Sequence, residues 1–470
     1  MKTLLSGVMK ISHGLGVYCE SLHTGTTHRR IFGTVVTIGA LTLIVQFVGV
    51  AKELLVAARF GTGDALDAFL MAMVIPTFIV NVVGGSFQSA LTPIFVRARD
   101  QEGDRAAQEL FSSVTGYCAT FLLLIILFIA FLGRLILPLL ASGFHPEKLA
   151  LTQTIFYWLL PMIAFQGMIV IWSAVLNAKG RFALAAIAPV LLPLITMIAL
   201  ISVGYRLGVY SLVVGTIAGF IVQAIVIGFG LRSQGLRLRP RWEKNNPQVR
   251  AMMRQYVHIV AGAVLMSGAA LVDQAMAATL RAGSISALSY GSRFVTTGLG
   301  LTAGSIGTAA FPYFSKQVAG RDWVTLWQTL RGYLRWIFAI TVPISLLIFV
   351  FSGQIVQLLY ERGAFLPEDT YLVARVQSFL IFQIPFYIGG ILVVRVISSL
   401  QANQILMWAS GLNLLLKVAM NYLFMQWMGV AGIALSTSLM FLGSFIFVYY
   451  YVRIVLNRAQ ESGFQIHEPN

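Results

Sequence analysis

The chain is a succession of long apolar stretches separated by short polar ones. Windows of roughly twenty mostly apolar residues, enough for a helix to cross about 30 Å of hydrocarbon, recur about twelve times. They lie near 33–58, 66–94, 112–139, 152–176, 182–204, 209–231, 255–280, 286–314, 331–352, 371–398, 404–426 and 429–452. Inside lipid every backbone amide must be satisfied within its own segment, so these stretches are helices. The pattern predicts an all-α integral membrane protein.

The polar connections differ in charge. Basic residues gather after the even-numbered spans: Arg97, Arg99 and Arg105, then Lys179 and Arg181, then Arg232 to Arg254, then Lys316 and Arg321, and finally Arg453 and Arg458. The connection after the tenth span has no basic residue of its own. The opposite connections, such as GTGDALD at 61–67 and ERGAFLPEDT at 361–370, carry fewer. This asymmetry predicts cytoplasmic N and C termini. The long basic connection divides the chain into a cytoplasmic tail (1–32), an N-lobe of six spans (33–231), a basic linker (232–254), a C-lobe of six spans (255–452) and a second tail (453–470).

Composition agrees with a bilayer protein: 58% of residues are hydrophobic and 11% charged, against roughly a quarter charged in a soluble domain. The net charge of +16 would suggest nucleic acid in a soluble chain. Here it resides in loops with no aromatic-basic motif beside it, so no nucleic-acid partner is expected. Cys19 and Cys118, one in a tail and one in an apolar run, build neither a disulfide framework nor a metal cluster. The first thirty residues lack an apolar core followed by a small-residue cleavage site, which reads as a retained tail. The histidines show no metal spacing and no nucleophile-base pair is visible, so an enzyme is not expected.

The two halves repeat one another. GGSFQSALTPIF at 84–95 and AGSIGTAAFPYF at 303–314 match at Gly85 and Gly304, Ser86 and Ser305, Pro93 and Pro312, and Phe95 and Phe314. LGVYSLVVGT at 207–216 similarly echoes MGVAGIALST at 428–437. Small residues recur in membrane helices for packing alone, but here order and spacing agree as well. A parallel repeat of six spans suggests two bundles rocking about a central site, the alternating-access design of secondary transporters.

Ionisable residues within spans are costly and so point to a partner or an aqueous cavity. The first span holds Lys52, Glu53 and Arg59. Lys52 and Glu53 lie about 100° apart on a helix, so at most one faces squarely into a cavity, unless both snorkel outward. Asp67 could pair with Lys52. Asp273 lies well inside the seventh span, where a lone carboxylate needs a cation. The candidate is Lys417, one of a polar stripe with Asn413 and Asn421 at i, i+4 spacing. The pair is either a structural lock or a coupling site. Arg293 follows Ser286, Ser289 and Ser292 in the eighth span and offers a fork suited to diphosphate oxygens. Arg375 and Arg395 add positive charge in the tenth span, with Arg395 near an end where it can snorkel. Mostly cationic interiors imply an anionic substrate.

With GVAKELLVAARFGTGDALDAFLMAMVIPTF, GGSFQSALTPIF, SALSYGSRF, LLYERGAF and GVAGIALSTSL in expected order from about residue 40 to 455, the chain resembles the MurJ/MviN family of lipid-linked glycan flippases, in the MOP superfamily. The resemblance implies the MOP fold: two six-helix lobes around a V-shaped cavity. In it an undecaprenyl-diphosphate-linked oligosaccharide passes from the cytoplasmic to the outer leaflet of the bacterial inner membrane. Membrane lipids, and a glycan polymerase or glycosyltransferases, are the implied partners. By the same resemblance Lys52 and Arg293 bind the diphosphate or headgroup, and Asp67 and Ser286 belong to an outer gate. Gln46 stands where lipid II flippases have a cavity arginine, and TFIVN at 77–81 replaces an arginine-bearing run. The lipid II flippases also carry two further spans. These departures point to an exopolysaccharide or O-antigen unit, with lipid II as the alternative and a MATE-like cation or drug exporter as a more distant one. Asp273, Asn421 and Thr437 match positions that bind sodium in some members. Lys417 falls where another ligand is expected, so the resemblance implies that a tethered ammonium replaces sodium and that no cofactor is needed.

Overall fold

The computed structural model describes residues 27–242, 247–402 and 404–462, by backbone alone for 27–35, 247, 251, 258, 301–309 and 461–462. Cys19, Lys244, most of the expected N-terminal tail and residues 463–470 of the C-terminal one lie outside the described residues. Among the described residues the chain is helical, with no strand. The helices are α1 (Thr27–Phe60), α2 (Asp64–Ile79), α3 (Gly85–Glu102), α4 (Asp104–Leu140), α5 (Pro146–Leu159), α6 (Pro161–Ala178), α7 (Phe182–Ile187), α8 (Leu191–Leu207) and α9 (Tyr210–Ser233). They continue as α10 (Pro247–Ala278), α11 (Ser284–Ala319), α12 (Trp323–Val350), α13 (Ser352–Tyr360), α14 (Pro367–Leu380), α15 (Gln383–Ser399), α16 (Gln404–Met428) and α17 (Val430–Ser462).

Among the described residues ten helical stretches are long and apolar enough to cross a membrane. The eighth and eleventh expected spans fall in α11 and α16, which are long enough to cross; in α16 the stripe Asn413, Lys417 and Asn421 lowers the apolar average. Several expected single spans are interrupted. The fourth breaks at Leu160 before Pro161, whose ring removes a helix hydrogen-bond donor. The tenth, its counterpart in the repeat, breaks between Leu380 and Gln383. The second stays helical through a π stretch at Val80–Gly84, directly before Gly85 and Ser86.

Two compact units emerge. One comprises the described residues up to Val56 with Asp64–Ser267, the other Ala57–Gly63 with Gly268 onward. The repeat is visible in the backbone: Gly208 and Gly429 both adopt positive φ, 54° and 60°, each turning the chain into the last long helix of its half. Such a turn favours glycine, which has no Cβ to clash. Phe95 and Phe314, at matching places in the two motifs, are both fully buried.

In the first unit the basic connection after α9 is tied along α4. The Gln108 side-chain amide donates to Arg237 O (2.9 Å) and accepts from Arg237 N–H (2.8 Å). Arg241 N–H donates to Ser112 O (3.1 Å), and the Trp242 indole donates to Thr120 (3.0 Å). Gly116 leaves room for the Arg241 backbone to pass. The positive chain is thereby an ordered strap.

The second unit packs α12, α15 and α17 around Leu326, Leu330, Val393, Val396, Val452 and Leu456. At one end it takes in Ala57–Gly63. Ala364 N–H donates to Ala58 O (2.8 Å), the Tyr290 hydroxyl donates to Gly61 O (3.3 Å), and Thr62 donates to Asp369. Gly61, Gly283 and Gly363 all have positive φ here and lie against backbone carbonyls of Ala364, Thr62 and Ala58.

Candidate functional site

The polar stripe of α16 faces α17, and α10 contributes the carboxylate. Lys417 Nζ lies 3.0 Å from Asp273 Oδ2, with the lysine side chain 1% exposed. The same ammonium donates to the Thr437 hydroxyl, which donates onward to Ile433 O (2.9 Å). Asn421 donates to Asp273 Oδ1 (2.7 Å) and accepts from Ser436. One turn before Lys417, Asn413 donates to Ser444 (3.0 Å). The structure thus brings Asp273, Lys417, Asn421 and Thr437 together, and Ser436 and Ser444 complete the network. A buried charge is tolerated when it is paired and hydrogen-bonded, and here both conditions hold.

The first unit holds a second buried cation that the sequence reading missed. Lys148, in the first turn of α5, lies 2.6 Å from Asp64 Oδ1 and 3.0 Å from Asp67 Oδ2, with its ammonium 4.2 Å from the Phe144 ring centroid. The expected pairing of Asp67 with Lys52 is thus corrected. Asp67 opens α2 and meets the start of α5, whereas Lys52 pairs with its neighbour Glu53 at 2.8 Å. Both members of that pair are half-buried. A signal was available for Lys148: it is a lysine at the end of the spans where the loop-charge pattern places few cations.

Gln46 is half-buried on α1, about 120° around the helix from Lys52. In the second unit Ser286 is fully buried near the start of α11, its hydroxyl 3.1 Å from Gly283 O. Arg293 lies two turns further along nearly the same face. It is half-buried, and its Nε has no hydrogen-bond partner among the described residues. The Nε of Arg395 on α15 is likewise without one.

A helical chain with these apolar stretches, an internal sequence duplication and ion pairs buried between helices has the architecture of the MOP membrane proteins. Its fold matches a solved structure described as "Lipid II flippase MurJ, inward closed conformation", with TM-score 0.75 and 21% identity over 92% of this chain and 94% of the other. It also matches an inward-facing MATE family multidrug transporter of the MOP superfamily, with TM-score 0.74 and 13% identity over 91% of this chain and 100% of the other. At these identities the likeness is one of fold. In sequence, "Probable lipid II flippase MurJ" of Synechocystis sp. is 28% identical over 88% of this chain and 80% of its own length. "Lipid II flippase MurJ" of Burkholderia cenocepacia is 26% identical over 86% and 80%. The family described as "Lipid II flippase MurJ" matches residues 56–467, and the chain belongs to this MurJ family.

Proposed function

We propose that the protein flips an undecaprenyl-diphosphate-linked saccharide from the cytoplasmic to the outer leaflet of a bacterial inner membrane, exposing its headgroup site to one leaflet at a time. Both termini are then cytoplasmic. The match to the MurJ family across 56–467 is the observation that carries this reading. Lipid II is the cargo that the named relatives favour. Arg293, with an Nε that no protein group uses, is assigned to the diphosphate; Lys52 and Gln46 are assigned to the headgroup, and Asp67 and Ser286 to the outer gate. No bond is made or broken in the transfer. Rescue of a strain depleted of its peptidoglycan flippase tests the reading, with lipid II translocation measured in the rescued cells.

A second cargo, an exopolysaccharide or O-antigen unit, is supported by Gln46 and by TFIVN at 77–81, which offer no guanidinium. Failure to rescue, together with translocation of another diphosphate-linked saccharide, is the outcome that favours it. A polymerase or glycosyltransferase acting on that saccharide is then the expected partner.

We further propose that transport needs no sodium. The oxygens that an ion would use, those of Asp273 and Thr437, have the Lys417 ammonium against them. A second cation there would meet strong repulsion at short range.

A further inference from the structure

The second unit has a further cavity of about 750 Å³ where α11, α14 and α17 begin. Its floor is apolar, with Leu280, Leu372, Met428 and Val430, and its polar wall carries Arg281, Arg375 and Glu368. Neither guanidinium is within ion-pair distance of a carboxylate among the described residues. Arg375 lies over the Tyr371 ring, 5.6 Å from its centroid. Arginine in a lipid-facing helix directs its head toward the headgroup layer while its stem covers apolar surface. Tyr371 is 64% exposed and the nearby Trp427 76% exposed, and such amphipathic aromatics mark the depth of the membrane–water boundary. The cavity is thus an apolar hollow lined in part by two guanidiniums and one carboxylate, with exposed amphipathic aromatics beside it.

We propose that this cavity binds the phosphodiester headgroup of an anionic phospholipid, of which phosphatidylglycerol is the simplest. The planar forks of Arg281 and Arg375 suit phosphate oxygens, and the apolar floor takes the glycerol and the start of the acyl chains. Charge selects the class. Two arginines against Glu368 leave one net positive charge, which matches a phosphodiester monoanion and not a diphosphate. The site is separate from the proposed cargo site and does not depend on that reading.

The test is native mass spectrometry on the full chain in detergent. Wild type and the double variant Arg281→Gln/Arg375→Gln are each titrated with phosphatidylglycerol, phosphatidylethanolamine and glycerol 1-phosphate. Wild type is expected to retain phosphatidylglycerol at least about tenfold more tightly than the double variant, the scale of losing charge-assisted hydrogen bonds. It should also prefer it to phosphatidylethanolamine and bind glycerol 1-phosphate far more weakly. Equal retention of phosphatidylglycerol by both proteins overturns the proposal, as does equal binding of the zwitterionic lipid or of the soluble phosphate by wild type. Should the double variant fail to fold, Glu368→Gln decides. It adds net positive charge at an exposed position and is expected to tighten phosphatidylglycerol binding; unchanged affinity overturns the proposal.

Discussion

Lys417 and Asp273 form an ion pair at 3.0 Å in which the lysine is almost wholly enclosed and the aspartate side chain 17% exposed. Removing one member strands the other. Lys417→Met is expected to destabilise the protein by about 3–5 kcal/mol, the usual cost of leaving a buried charge unpaired. Adding Asp273→Asn should restore most of that loss, because no charge then remains. Thermal unfolding of the purified variants in detergent measures both. If the double variant is stable yet inactive in translocation, the pair takes part in coupling; if it is stable and active, the pair is a lock between α10 and α16.

Replacing sodium with potassium or choline is expected to leave translocation unaltered, since the Lys417 ammonium already lies between Asp273 and Thr437. Flux into the outer leaflet of proteoliposomes or right-side-out vesicles is the measurement. A strict sodium requirement refutes the tethered-cation reading.

In the first unit, Lys148→Met should cost about 3 kcal/mol or more, because Asp67 is buried and loses a charged partner. Asp64→Asn should cost at most about 1 kcal/mol, since the Asp64 side chain is 53% exposed and its pairing is screened by water. A comparison of the two unfolding temperatures checks this ordering. Equal losses would mean that Asp67 does not depend on Lys148.

These two ion pairs show what was legible in the sequence. Lys417 and its partner could be read because Asn413, Lys417 and Asn421 recur at helical spacing, and Asp273 was a carboxylate in an apolar run that needed a cation. Asp67 and Lys148 could not be matched that way, since their meeting depends on how α2 packs against α5 across a long stretch of chain. Lys52 lay nearer in sequence and drew the assignment instead. Likewise the helical crossings and their duplication follow from apolar length and repeated motifs, whereas the break at Leu160 and the π stretch at Val80–Gly84 depend on local backbone geometry. The seating of Ala57–Gly63 against Gly283 and Gly363 has no periodic signature at all.

Gly363 has φ of 62°, and an added Cβ would meet the Ala58 carbonyl. Gly363→Ala is therefore expected to destabilise by about 2 kcal/mol or more, combining left-handed strain with a backbone collision. Gly353→Ala is the control, since nothing lies near its Cβ position, and it should be neutral or slightly stabilising within a helix. Thermal unfolding distinguishes them, and limited proteolysis near residues 57–63 should accelerate only in the Gly363 variant.

On the proposed function Arg293 holds the diphosphate of the cargo, and its variants test that assignment. Arg293 is half-buried, and its Nε is enclosed without a hydrogen-bond partner among the described residues, so a ligand oxygen that reached it would break no internal hydrogen bond at that atom. If it holds the diphosphate, charge reversal replaces an attraction with a repulsion in a poorly screened setting. Arg293→Glu is expected to abolish translocation, and Arg293→Gln to lower it by at least about tenfold, as for loss of a charge-assisted hydrogen bond. Arg293→Lys should keep part of the activity, because a point charge remains where the planar fork is lost. Expression and unfolding temperature of Arg293→Gln should stay close to those of wild type, separating loss of recognition from loss of fold. Wild-type translocation by Arg293→Glu would remove this side chain from the cargo path and leave the anionic-substrate reading without its main support.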